Sequence, residues 1–178
     1  YDATLDMIPT LKEEEKVLKR CRSKKVSAMQ CKLGYLLPMP VEAPPQTPPV
    51  VVGAGPAGLF AALTLAQAGA NPILIERGRS VDARTQDVAA MQRDGVLDPD
   101  SNVQFGEGGA GAFSDGKLTT GTKSPYIRTV LHTFVEHGAP EEILYLSKPH
   151  IGTDKLKGVV ASMREEIKRL GGTVLFET

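Results

Sequence analysis

The sequence predicts an α/β protein: a Rossmann-like dinucleotide-binding domain with a partial parallel sheet and a small N-terminal appendage. Three stretches carry that prediction. Val50-Val-Val-Gly-Ala-Gly-Pro-Ala-Gly-Leu59 is a β-branched run that opens into the spacing G-x-G-x-x-G. A helical run to Gly69 leads into Ile73-Leu-Ile-Glu-Arg77, a second strand ending in an acid about 20 residues beyond the glycines. Thr153 to Leu170 then reads as an amphipathic helix, closed by Gly171-Gly172 and followed by a third strand, Thr173 to Glu177. Strands alternating with helices in this way belong to one parallel sheet.

The glycine turn has a physical reading at each position. Val50 to Val52 is expected as a short buried strand. Gly53 permits the sharp turn out of it, and Gly55 has no Cβ to hold a pyrophosphate away from the backbone. Gly58 lets the helix pack closely on the strand. Pro56 and Ala57 fall in the first helical turn, where a missing N–H costs nothing and the unpaired N–H groups favour a bound diphosphate. Glu76 can accept both ribose hydroxyls of an adenosine. An apolar βα unit with incidental glycines is the bland alternative. Strand, turn, helix, strand and acid in register outweigh it.

Bulk properties narrow the function. Lys+Arg and Asp+Glu stand at 21 each, so no basic field points to nucleic acid. Aromatics are few and tryptophan is absent, which weakens a base-stacking role. The uncharged stretch from Ala43 to Ile75 is long enough to mimic a membrane span, but prolines break its start and glycines with Pro56 interrupt its centre. No membrane span is expected. Cys21 and Cys31 suggest neither a disulfide framework nor a metal site, and read as free thiols in a reducing, cytoplasmic setting. The first residue is Tyr1 rather than methionine, which reads as a fragment.

Along the chain, residues 1–37 read as the remnant of a separate N-terminal module. Thr10 with Glu13 makes a capping box for a helix from Leu11 to Arg22, and Lys24 to Leu37 is expected to hold a strand or two. Residues 38–49 form a proline-rich linker. Residues 50–178 are the dinucleotide-binding domain, truncated at its C-terminus. Gly78 to Arg84 reads as a polar loop, followed by a helix from Thr85 to Arg93, and Pro125 to His137 as another helix. Between them, Asn102 to Lys117 embeds Phe105 and Phe113 among glycines at 106, 108, 109, 111 and 116. Such a loop brings backbone N–H groups against an anion or a flat ring.

These motifs carry a family likeness. Val51 to Arg77, with Gly-Pro-Ala-Gly in the turn and Glu-Arg-Gly at 76–78, resembles the FAD-binding start of two-domain flavoproteins. More narrowly, Asn102-Val-Gln-Phe-Gly-Glu-Gly-Gly-Ala-Gly-Ala-Phe-Ser-Asp-Gly-Lys-Leu118 and Lys148-Pro-His-Ile-Gly-Thr-Asp154 resemble the largely uncharacterised FAD-dependent dehydrogenase (NAD(P)/FAD-dependent oxidoreductase) family. The resemblance implies FAD, with its ribose on Glu76 and its diphosphate on Gly53 to Gly58. It implies Arg77 and Arg84 near the adenosine and diphosphate. By analogy with fumarate-reductase-like flavoproteins it sets Gly108, Gly109 and Ala110 beside the flavin. Family members are considerably longer, so this chain by itself is expected to be inactive.

The leading expectation is therefore an FAD-dependent oxidoreductase acting on a small-molecule substrate, with NAD(P)H as a candidate electron donor. An NAD-binding dehydrogenase domain is the first alternative, with Glu76 repelling a 2′-phosphate. A non-catalytic FAD-binding fragment is the second. His150 and Lys117 sit in the family-like motifs, but the first reads as a structural histidine and the second equally as a solvated lysine. No catalytic residue is assigned.

Overall fold

The computed structural model describes residues 16, 19–21, 40–118, 121–146 and 148–178. The chain divides into two compact units, Tyr1–Gly34 and Tyr35–Thr178. In the first, Lys16, Lys19 and Arg20 are helical and exposed. The capping box at Thr10 and Glu13 and the strands expected between Lys24 and Leu37 lie outside the described residues.

The second unit runs β1 (Val50–Val52), α1 (Pro56–Gln67), β2 (Ile73–Ile75), α2 (Val81–Asp94), α3 (Ile127–Glu136), α4 (Thr153–Arg169) and β3 (Thr173–Leu175). Short 3-10 turns at Ala110–Phe113 and Glu141–Leu144 interrupt the long excursion between α2 and α4. The sheet has three parallel strands in the order β1-β2-β3, the arrangement of a Rossmann-like α/β domain.

Register explains the core. Val51, Leu74 and Val174 lie in one row across the sheet and pack on the helical layer. That layer is α1, with Leu59, Ala62, Leu63 and Ala66 buried, against α4, with Leu156, Val159, Val160, Met163 and Ile167 buried. Removing such side chains from water contributes about 1.5–3 kcal/mol for each large residue. Phe60 of α1 meets Phe134 of α3 edge-on, with centroids 5.5 Å apart.

The strand residues on either side of that row face the opposite way. Val50 is 58% exposed, Val52 79% and Leu175 43%. The strand expected at Val50 to Val52 thus forms, but it is not buried: Val51 is half-buried and both its neighbours are exposed. β1 is an outer strand, and among the described residues nothing covers the second face of the sheet.

Helix starts follow local chemistry. α2 begins at Val81, inside the expected loop and ahead of the expected Thr85, because Ser80 Oγ accepts the Ala83 N–H and the Glu107 carboxylate accepts that of Val81. Gly95, at φ 72°, ends the helix in a left-handed cap. Residues 40–49 form no regular element, yet the Val41 N–H donates to Ala68 O at 2.8 Å and Pro49 O accepts the Ile73 N–H at 2.8 Å. No described helix is long and apolar enough to cross a membrane.

Urea unfolding tests this assignment of faces. Ile167→Ala, at a fully buried position, is expected to cost about 2–5 kcal/mol. Val52→Thr, on the open face, is expected to stay within about 0.5 kcal/mol.

Candidate cofactor site

The turn between β1 and α1 supplies the site's floor. Gly53 adopts φ 93°, a left-handed conformation that lets its N–H donate to Ile75 O at 2.7 Å. A Cβ on Gly58 would fall 1.8 Å from Gly53 O, so only glycine lets α1 approach the turn this closely. Gly55 differs: a Cβ there meets nothing within 4 Å, and the backbone faces open space. Gly55 is the N-cap of α1, with no side-chain hydrogen bond, no acid in the first turn and Pro56 at its head. The N–H groups beginning at Ala57 therefore form an uncapped positive helix end.

Glu76, at the end of β2, is buried beside this turn. Its Oε2 accepts the Ala54 N–H at 2.7 Å and its Oε1 accepts the Gly78 N–H at 2.8 Å. Each oxygen keeps a further lone pair for a ligand hydroxyl.

The second glycine motif closes onto the first. The Gly108 N–H donates to Ala54 O at 2.8 Å. A Cβ on Gly109 would lie 3.3 Å from Pro56 Cδ and 3.5 Å from Gly55 Cα, so the segment rests on the head of α1. Ala110 then opens the 3-10 turn that carries Phe113.

Arg84 lies beneath this segment, fully buried. Its Nε donates to Asn102 O at 2.7 Å, and its Nη1 to Glu107 O at 2.7 Å, Gly109 O at 2.8 Å and Gly106 O at 3.3 Å. The guanidinium sits 4.5 Å from the Phe113 ring centroid. Burial lowers its pKa to about 10, so the charge persists at neutral pH. Its Nη2 is buried without a hydrogen-bond partner among the described residues. Arg77 stands apart from the turn, exposed, pairing with Asp100 at 3.2 Å and lying 4.3 Å from the Phe105 ring centroid.

An apolar cavity of about 250 Å³ adjoins the turn, with walls from Pro56, Leu59, Gly108, Lys117 and Val160. A two-stranded clasp forms beside it, where the Ile151 N–H donates to Gly116 O at 2.9 Å and the Leu118 N–H to Pro149 O at 3.0 Å. Lys117 pairs with Asp115 at 2.6 Å, and His150 Nε2 contacts the Asp115 carbonyl oxygen. Both side chains thus have local structural partners. Among the described residues no His, Cys, Asp and Glu cluster could hold a metal ion.

Two residues of this architecture escaped the sequence reading. Glu107 is fully buried among the glycines, and Arg164 of α4 reaches it at 2.6 Å. A signal existed for the second, since Arg164 falls between Val160 and Ile167 on the apolar stripe of its helix. A base in that place needs a buried acid.

The features converge on one kind of ligand: open backbone at Gly55, an uncapped helix head, a buried acid one strand away. Residues 46–93 match the family model of an FAD binding domain. That match supports an FAD-dependent oxidoreductase-type domain. An uncharacterized protein of Clostridium beijerinckii is 62% identical over 130 residues, which cover 73% of this chain and 24% of the relative. The chain thus spans about a quarter of the length of the curated relative it matches. The residues present fit the adenosine diphosphate half of FAD, because the cradle that a side chain would fill at Gly55 is left open.

The two glycines of the turn are separable by substitution. Gly58→Ala is expected to destabilise the fold by about 1–3 kcal/mol through its clash with the Gly53 carbonyl. Gly55→Ala is expected to leave the melting temperature nearly unchanged while weakening FAD uptake, as read by flavin fluorescence.

Proposed function

We propose that residues 50–178 form the FAD domain of an FAD-dependent oxidoreductase, preceded by a linker at 38–49 and a separate N-terminal module. The observation that carries this reading is the closure of the second glycine segment on the first turn, Gly108 through its hydrogen bond to Ala54 and Gly109 against the uncapped head of α1, within one strand of Glu76. Gly53, Gly55, Pro56, Ala57 and Gly58 would hold the diphosphate with Gly109 beside them, and Glu76 the ribose hydroxyls. Arg77 would lie on the adenosine side. Arg84 would act from below, as a buried positive charge under the segment. Gly108 to Ala110 would face the flavin. Bound FAD supplies the redox chemistry, while these residues bind it, orient it and keep water from it. A substrate and an electron donor such as NAD(P)H would meet the ring from parts of the protein beyond those described.

A dehydrogenase reaction is the form the family resemblance favours. The matched family model is more typical of hydroxylases and monooxygenases. Anaerobic transfer of electrons to a dye, set against oxygen uptake, separates the two. An NAD-binding domain is the weaker reading, because a simple nicotinamide site has no use for a second glycine segment on the turn.

The visible spectrum of the natural full-length protein as purified is the direct test. Flavin bands with FAD released in stoichiometric amount are expected; a colourless protein that takes up NAD and refuses FAD would overturn the proposal. Glu76→Gln should weaken FAD binding roughly tenfold to a hundredfold, the loss of charge-assisted hydrogen bonds to the ribose.

A further inference from the structure

The glycine segment owes its position to charges that the cofactor contacts do not use. Glu107 Oε2 accepts the Val81 N–H at 2.7 Å, at the head of α2, and the Arg164 Nη1 at 2.6 Å, from α4. The Glu107 backbone is tied as well: its N–H donates to Arg79 O at 3.0 Å, and its carbonyl accepts from Arg84 at 2.7 Å. One residue therefore joins α2, α4 and the segment immediately before Gly108 and Gly109. Its side chain is fully buried, and Oε1 has no partner among the described residues. Burial pushes the Glu107 carboxyl up from its usual range, and the Val81 N–H and Arg164 oppose that push. Arg164 is lowered by its own burial and raised, with the raising effects ahead, by Glu165, Glu107 and Asp82. A buried carboxylate of this kind is tolerated only while its partner charge stays in place.

We propose that Glu107 and Arg164 are positioning residues for the cofactor: their ion pair fixes Gly108 and Gly109 against the diphosphate turn and thereby sets FAD affinity. The pair acts through the backbone. Glu107 is next to Gly108, whose N–H meets Ala54 O, so a shift of the carboxylate moves the residue that closes the turn. Gly108 has little room to move otherwise, since a Cβ there would lie 2.9 Å from the Ala112 Cβ and 3.3 Å from Val160. α4 thus reports on the site through Arg164 without contributing any residue to the diphosphate turn itself.

This inference rests on the FAD reading, and its test keeps the two apart. In the natural full-length protein, Glu107→Gln and Arg164→Met are each expected to raise the FAD dissociation constant at least about tenfold, with the double variant little worse than either single one. Arg164→Lys, which keeps the cation, should recover most of the affinity. A purely structural role would lower thermal stability without singling out the segment. The second readout is therefore hydrogen exchange of the Gly108 and Gly109 amides in cofactor-free protein, expected about tenfold faster in Glu107→Gln while α1 amides are unchanged. Unchanged exchange at these glycines, or FAD binding within threefold of the unaltered protein, would overturn the inference. Should Glu107→Gln fail to fold, Arg164→Met and Arg164→Lys decide it by the same two readouts. If the unaltered protein takes up no FAD, the functional reading falls with the affinity claim, and the exchange rates still decide the positioning claim.

Discussion

A buried guanidinium shapes this structure. Arg84 carries a positive charge where no water reaches it, and desolvating such a group costs several kcal/mol unless donors are met. Among the described residues no carboxylate forms an ion pair with it; backbone carbonyls of Asn102, Gly106, Glu107 and Gly109 accept its hydrogen bonds instead. For one short stretch to aim so many carbonyls at a single point, its chain must coil through left-handed backbone. Gly106, Gly108 and Gly109 adopt φ values of 110°, 83° and 62°. The glycines therefore serve the arginine cage as much as any ligand.

The cage in turn connects layers that are remote in sequence. Arg84 belongs to α2, the carbonyls to the excursion that follows, and one of the glycines they come from, Gly109, rests on the head of α1. Glu76 adds a second tie by gripping the turn at Ala54 and its own loop at Gly78. The rim of the sheet is thereby held by side-chain acceptors as well as by the strand ladder, which for three-residue strands is short. A preorganised backbone at this rim is what a diphosphate needs, because little ordering is left to be done on binding.

Much of this was legible in the residues. The G-x-G-x-x-G spacing gave the turn, the β-branched runs gave the strands, and the apolar stripe of α4 gave its length to within one residue. What escaped reading was tertiary. The early start of α2 depends on a carboxylate 26 positions away in sequence, donated to from Val81. The open face of β1 depends on what lies beside the strand, which a run of valines cannot reveal. Arg84 reads locally as one more polar loop residue, and only the fold shows that it is wholly enclosed. Local signals fixed most of the elements, while the enclosure of Arg84 and Glu107 emerged only from packing.

The second face of the sheet has a colloidal consequence. Val50 and Val52 present apolar surface on the outer strand β1, and Leu175 does so on β3 at the other edge; no described strand takes up the free ladder groups of either edge. The formal net charge is zero, so no long-range repulsion keeps two such surfaces apart. Handled by itself at neutral pH, this stretch of polypeptide is a sticky object, inclined to meet its own kind edge to edge.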